Sequence, residues 1–315
     1  MMIIHGALGY LRRMIFIGAM LTLGGSSAWA APKGSPWGES YFPNLELVDQ
    51  DGKTVRFYDD LIKDKVVIIN FIYTHCGDTC PMQTANLRQV YKLLADRMGK
   101  DIFFYSISID PEHDTPAVLK EYAERFKIGS DSGWRFLTGS KADTTLLRKK
   151  LGLFRDDVEA GNLSEHNTSF VLGNESTGQW IKRSSFDEPK VLAWVLGRSL
   201  SHPSKKIEKT ELASYAEAKQ IPKMSKGEDL FRSRCDSCHS MGTEDGLGPG
   251  LQGVTKRRDK AWLTRWLKIP DQMLSEKDPI ALDLFNRYKK LPMPNLRLGD
   301  ADVEALIEYM AGPAQ

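Results

Sequence analysis

The sequence carries almost no excess of charge of either sign. Its 315 residues include 43 Lys and Arg against 41 Asp and Glu, which gives a formal net charge of +2. A nucleic-acid partner requires a concentrated basic face to neutralise phosphates, and the sequence shows no such cluster. We therefore exclude nucleic acid as a partner. The length exceeds the ~100–200 residues usual for one domain, so we expect two domains.

Long apolar runs are absent after the N-terminal segment. The one clear run, MIFIGAMLTLGG, begins at Met14 and falls short of the ~20 residues that span a bilayer as a helix. It follows two arginines and precedes Ala-Trp-Ala, whose small residues suit a signal peptidase. We interpret residues 1–30 as a signal peptide and expect a periplasmic protein. The alternative is an uncleaved N-terminal segment, which would then be its contact with the membrane.

Cysteine is also scarce, with four residues in the whole chain. In an oxidising compartment four cysteines can form two structural disulfides. Here they occur as two close pairs, Cys76 with Cys80 and Cys235 with Cys238. A bridge across so short a loop removes little entropy from the unfolded chain, so it would stabilise the fold only slightly. Close pairs indicate metal, haem or redox chemistry instead.

Residues 40–200 alternate strand and helix patterns. A hairpin pattern around Asp51-Gly52 precedes two apolar, β-rich runs at 66–73 and 102–109, which predict buried central strands. Helical periodicity between them gives a β-α-β order and hence a parallel sheet, so we predict an α/β thioredoxin-like domain. Further predicted elements are helices at 82–98, 116–126, 140–151 and 188–196 and a hairpin of 168–172 with 179–183.

The rest of the chain lacks strand signals. Residues 201–221 are polar, charged and flanked by prolines, and we interpret them as a linker. Residues 222–313 contain four helix patterns joined by Gly- and Pro-rich turns. The predicted helices are at 226–234, 260–267, 279–288 and 301–310. We therefore expect an all-α domain to follow the thioredoxin-like one.

A motif for covalent haem attachment, CDSCH, lies near the start of the all-α part. Cys235 and Cys238 are spaced to reach the two vinyl groups of one porphyrin edge, and His239 follows them as the proximal iron ligand. The iron then needs a distal ligand. Met293, in LPMPNL, is our candidate because a thioether opposite histidine raises the reduction potential and suits electron transfer. Met273 is the alternative.

Residues 222–312 resemble the class I cytochrome c family. The segments GEDLFRSRCDSCH, GLGPGLQGV, AWLTRWL and LPMPNL occur in that family's order. The resemblance implies haem c, with the carbonyl of Pro249 near the imidazole of His239 and with Trp262 and Trp266 packing the haem pocket. Ordinary core aromatics on one helix face would explain the two tryptophans equally well. A zinc site lacks a second ligand pair, since the other cysteines belong to the other domain.

Cys76 and Cys80 follow the first buried strand and open the next predicted helix, with Pro81 in its first turn. Unpaired N–H groups and the helix dipole at such a position stabilise a thiolate, so we expect a lowered thiol pKa. Two thiolates so placed can close on one soft cation, and copper(I) is the natural guest. The same thiols can also act as redox groups. A third copper ligand has to come from elsewhere in the chain.

His166, in SEHNTSFVL, precedes a predicted strand and is the candidate third ligand. By itself a loop histidine is more often a solvated or hydrogen-bonded residue. However, residues 40–200 resemble the Sco/SenC family of copper-binding thioredoxin-fold proteins, through FIYTHCGDTCP and SIDPEHDTP. The resemblance implies copper held by Cys76, Cys80 and His166. Gly77 departs from the family's usual proline, which puts the copper affinity in doubt but removes no ligand.

Two functions remain open. The resemblance implies a copper metallochaperone that delivers copper to the copper-bearing subunit of cytochrome c oxidase for its binuclear copper centre. The alternative is a thiol-disulfide oxidoreductase or redox sensor in which Cys76 and Cys80 cycle between dithiol and disulfide. A tethered haem would exchange electrons with either site and with respiratory electron-transfer proteins. Because dithiol chemistry moves two electrons and one haem moves one, we prefer copper delivery.

Overall fold

A computed structural model describes residues 37–77, 79–155, 163, 166–201 and 223–312, which belong to one compact unit. The predicted signal peptide, residues 1–30, lies outside the described residues, and so does the predicted linker from residue 202 onward. Both therefore stay predictions. Within the described ranges, every helix is too short or too polar to cross a membrane.

A seven-stranded mixed sheet forms the centre of the first domain, in the order β2-β1-β5-β4-β3-β6-β7. The middle strands β5, β4 and β3 run parallel, as the β-α-β pattern predicts. β1 joins β5 and β6 joins β3 in antiparallel fashion, so the complete sheet is mixed. The strands are β1 (Glu46–Asp49), β2 (Thr54–Arg56), β3 (Val66–Ile72), β4 (Ile102–Ser108), β5 (Trp134–Thr138), β6 (Phe170–Asn174) and β7 (Gln179–Arg183).

Burial explains why β3 lies in the interior of the sheet. All seven residues of VVIINFI are buried, and β-branched side chains pack well on a pleated surface covered on both faces. β4 is almost as apolar and lies beside β3 with Val66 opposite Ile102. β5 has no counterpart among the predicted elements. Its five residues, WRFLT, are too few for a clear period, although Trp134 is fully buried.

Among the described residues, four α-helices belong to the first domain and six belong to the second. Those of the first domain are α1 (Thr79–Leu93), α2 (Pro116–Arg125), α3 (Lys141–Lys150) and α4 (Pro189–Trp194). Those of the second are α5 (Lys226–Arg234), α6 (Val254–Arg257), α7 (Lys260–Lys268), α8 (Pro270–Ser275), α9 (Pro279–Arg287) and α10 (Asp300–Ala311). The four helices predicted for the second domain are confirmed as α5, α7, α9 and α10. The short helices α6 and α8 are additional, since one turn of helix gives too little periodicity to predict.

Close packing of α5 against α10 holds the second domain together. A Cβ added to Gly227 would lie 2.1 Å from the carbonyl oxygen of Ala305, so only glycine permits this approach of the two helices. The rings of Phe231 and Tyr309 meet beside it at 5.6 Å. Because α5 is held against α10, the position of Cys235, which follows the end of α5, is fixed relative to the core of the domain.

Candidate copper and haem sites

The first cysteine pair lies where β3 ends and α1 begins. Cys80 is in the first turn of α1 and is fully buried, and Cys76 is 5% exposed. The backbone N–H of Cys80 points to the sulfur of Cys76 at 3.5 Å, so a helix N-terminal donor stabilises that sulfur. None of the four cysteines, all of which lie among the described residues, is joined in a disulfide. The two residues of the pair are thus adjacent.

His166 reaches this pair because of the antiparallel pairing of β6 with β3. Ile69 pairs with Val171, so the residues that precede β6 run alongside the end of β3, where the cysteine loop starts. The imidazole Nε2 of His166 lies 3.9 Å from the sulfur of Cys80. The histidine is 5% exposed and is therefore not a solvated loop residue. The structure brings this predicted ligand to the thiols across 86 residues of sequence.

The hydrogen bond of the other ring nitrogen fixes how His166 faces the cysteine. Its Nδ1 lies 2.8 Å from the carbonyl oxygen of Leu163. A carbonyl can only accept, so Nδ1 carries the proton and Nε2 presents a lone pair towards Cys80. Burial lowers the pKa of His166, which keeps the ring neutral near pH 7. A neutral, oriented imidazole is the form that binds a metal ion.

The expectation of a lowered thiol pKa is wrong for Cys80. Burial raises its pKa well above the usual value, and the neighbouring Cys76 raises it further. Desolvation therefore outweighs the favourable helix N-terminus at this position. Cys80 holds its proton at neutral pH until a cation displaces it, so binding of a metal ion must release that proton.

The donor set fits one soft cation. Ligand bonds of about 2.3 Å from sulfur and 2.1 Å from imidazole nitrogen, meeting at ~125°, span the 3.9 Å between Cys80 and His166. Such an angle suits a three-coordinate site, and two sulfurs with one imidazole favour copper(I). No three His, Cys, Asp or Glu side chains among the described residues are already arranged to hold a metal ion. Closure therefore requires movement, and we assign it to the side chain of Cys76.

Buried polar residues that the sequence analysis did not identify brace the cysteine loop. Asp114 is completely buried and accepts hydrogen bonds from the Thr74 hydroxyl and the Ser108 hydroxyl, both at 2.5 Å. It thereby ties the residue before the loop to the end of β4. The segment SIDPEHDTP, which carries the family resemblance, contains this aspartate, so that segment was the available signal. Asp110, which is itself buried, lies 2.9 Å from the Nδ1 of the exposed His113.

Gln83 links α1 to the segment of His166. Its amide nitrogen donates to the carbonyl oxygen of Thr168 at 2.6 Å, two residues after the histidine. Its amide oxygen accepts from Asn70 on β3 at 3.3 Å, and Ser106 on β4 donates to Asn70 at 2.8 Å. All three side chains are completely buried. This buried network fixes the distance between Cys80 and His166 through side chains rather than through the loop itself.

The second cysteine pair lies at the wall of a cavity of about 410 Å³ in the all-α domain. Cys235, Cys238, His239 and Met293 all line it, so the predicted thioether, proximal and distal ligands share one enclosed space. Met273, the alternative distal ligand, is fully buried and does not line this cavity. The residues present fit a haem that Cys235 and Cys238 would attach and that His239 and Met293 would ligate.

Two features hold His239 in place. Its Nδ1 lies 2.9 Å from the carbonyl oxygen of Pro249, which confirms the contact that the cytochrome resemblance implied. A Cβ on Gly248 would lie 2.5 Å from the Cε1 of the same ring, so the backbone passes directly against the imidazole. Nε2 is then the free nitrogen for iron. Trp262 and Trp266 also line the cavity and stack on each other at 5.5 Å.

Comparison with known proteins gives a match for each half of the chain. The sequence profile of the SCO1/SenC family matches residues 37–193, and that of cytochrome c matches residues 224–312. The SCO2-like protein of Rickettsia felis is 30% identical over 152 residues, which make up 46% of this chain and 69% of that protein.

Solved structures also match each half separately. ScoI of Bradyrhizobium japonicum with copper bound is 28% identical and covers 50% of this chain and 97% of that chain, with a TM-score of 0.41. A cytochrome c domain from Pseudomonas putida is 59% identical and covers 27% of this chain and 83% of that chain, with a TM-score of 0.26.

Proposed function

Since the chain belongs to the SCO1/SenC family and carries a cytochrome c domain, we propose that it is an exported copper metallochaperone with an electron-transfer haem. Its cargo is copper(I), and the copper-bearing subunit of cytochrome c oxidase is the target, at its binuclear copper centre. The observation that carries this proposal is the 3.9 Å contact between the lone-pair nitrogen of His166 and the sulfur of Cys80.

The three ligands have different tasks in this proposal. Cys80 and His166 form the fixed half of the site, because the Gln83 network sets their distance. Cys76 is the mobile half, which closes on the ion and opens to release it. Copper leaves when soft ligands of the target replace these donors one at a time. A site with one mobile ligand suits such an exchange better than a rigid cage does.

The second domain contributes residues that hold a haem. Cys235 and Cys238 would supply the two thiols for covalent attachment, and His239 and Met293 would ligate the iron. A haem held in this way supplies one-electron transfer at a raised potential. Because both redox sites belong to one chain, the effective concentration of each site near the other is high. We propose respiratory electron-transfer proteins as the external partners and the periplasm as the compartment.

Thiol-disulfide chemistry is the second candidate. The proximity of the two cysteines, with the sulfur of Cys76 at 3.5 Å from the nitrogen of Cys80, favours it. Against it, the raised pKa of Cys80 leaves little thiolate at neutral pH for attack on a disulfide. Thiol-disulfide chemistry also provides no role for the oriented lone pair of His166. We therefore place copper delivery first.

A His166→Ala variant separates the two functions. The full haem-containing chain is purified from copper-supplemented periplasm, and copper per chain is measured together with reduction of a model disulfide. Copper delivery predicts near-equimolar copper in the unmodified chain and its loss in the variant. His113→Ala is the matched control, since His113 is an exposed histidine that is not a proposed ligand. This variant should retain copper. Unchanged copper in the His166 variant, with intact disulfide reductase activity, would favour the thiol enzyme instead.

A further inference from the structure

The haem cavity and the core of the thioredoxin-like domain share a wall. Cys238, Leu247 and Leu291 line the cavity, and the same three side chains pack against the core of the first domain. In the opposite direction Met82, in the first turns of α1, packs against the core of the cytochrome c domain. The edge of the cavity that carries Cys238 therefore faces the first domain.

Polar contacts from both domains fix this arrangement. The amide of Gln89 on α1 donates to the carbonyl oxygen of Ser237 at 3.3 Å. Lys127, just after α2, donates to the carbonyl oxygen of Gly246 at 2.9 Å. Lys289 of the cytochrome c domain donates in return to the carbonyl oxygen of Glu124 at 3.2 Å. Each of these bonds fixes the main chain of one domain to a side chain of the other.

Helix α1 connects this contact surface to the copper site. Cys80 lies in its first turn and Met82 lies two residues later. At 1.5 Å per residue, Gln89 lies about 14 Å from Cys80 along the helix axis. One continuous helix thus contacts both the copper ligands and the haem-attachment segment.

We propose that the surface formed by Met82, Gln89 and Lys127 is a docking surface for the cytochrome c domain of the same chain. It holds the Cys238 edge against α1, and its residues are positioning residues for electron exchange between the two sites. This inference deepens the proposed function and rests on it for its redox consequence. One electron moves at a time, so one site is oxidised and the other is reduced. No bond forms or breaks, and no proton moves.

Charge reversal at the docking surface tests the inference in the full chain. A Gln89→Glu/Lys127→Glu double variant places carboxylates against the carbonyl oxygens of Ser237 and Gly246, which the two native side chains contact as donors. Neither residue is a metal or haem ligand. Lys53→Glu, with an exposed lysine in the turn between β1 and β2, is the control for a charge reversal elsewhere. Small-angle scattering measures the radius of gyration, which is ~20 Å for a compact chain of 315 residues.

We expect the double variant to show a clearly larger radius of gyration and the control to match the unmodified chain. Stopped-flow absorbance of the copper-loaded, haem-containing chain should show intramolecular electron exchange at least tenfold slower in the double variant only. An unchanged radius would overturn the docking surface. An expanded chain with an unchanged exchange rate would overturn its positioning role. No exchange in a compact unmodified chain would refute the proposed electron transfer and leave the docking surface in place.

Discussion

Replacement of Gln83 by leucine tests how the copper ligands are positioned. The change keeps a buried side chain of similar size but removes both hydrogen bonds of the amide, to the carbonyl of Thr168 and from the amide of Asn70. The buried amide of Asn70 and the part-buried carbonyl of Thr168 are then left without this partner, each at a cost of about 1–3 kcal/mol. We expect the free energy of unfolding of the variant to fall by about 2–4 kcal/mol.

Copper affinity should fall as well, because the segment of His166 loses its link to α1. Loss of a residue that orients a metal ligand typically lowers metal affinity about 10–100-fold. The assay is competition for copper(I) against a chelator of known affinity, with urea unfolding measured in parallel. Gln50→Leu is the matched control: Gln50 is buried and accepts from the Phe136 N–H at 2.8 Å, away from the site. It should lower stability and leave copper affinity unchanged.

The Gln83 prediction fails if the leucine variant is destabilised but binds copper(I) within about twofold of the unmodified chain. In that case the buried network would serve the stability of the sheet alone. Equal losses of copper affinity in the Gln83 and Gln50 variants would also contradict it, because a general loosening of the domain would then explain the effect.

Three further predictions concern the same two sites. Gly248→Ala places a methyl group 2.5 Å from the ring of His239, so the fraction of chains with a normal haem absorbance spectrum should fall, whereas Gly242→Ala, which meets no heavy atom closer than 3.8 Å, should not change it. Because the pKa of Cys80 is raised, copper(I) binding should release protons, and its apparent affinity should rise up to ~tenfold per pH unit near neutrality for each proton released; a pH-independent affinity would contradict this. Asp114→Asn should lower stability by about 2–4 kcal/mol in urea unfolding, since it disrupts the acceptor for Thr74 and Ser108; a loss below 1 kcal/mol would contradict it.

Local patterns predicted the elements whose residues carry a clear period. The largely apolar run of β3 and the helical period of α5 each indicate one structure, and both are confirmed. The haem motif predicted Cys235, Cys238 and His239 for the same reason, since its chemistry lies within five consecutive residues. These features depend on neighbours in sequence, which a pattern can show.

Features that depend on partners far along the chain were not predictable in this way. Gln83 and Asp114 matter because of Thr168 and Thr74, and no local pattern links these positions. His166 was identified through the family resemblance rather than through its own surroundings. The direction of the Cys80 pKa was predicted wrongly because the helix N-terminus is visible in the sequence, whereas the degree of burial is not.

X-ray absorption at the copper edge of the copper(I)-loaded chain tests the central claim most directly. A spectrum fitted by two sulfur scatterers and one imidazole nitrogen, with the nitrogen lost in His166→Ala, is the predicted result. A spectrum with two sulfurs alone, identical in both proteins, would contradict the assignment of His166 as a copper ligand.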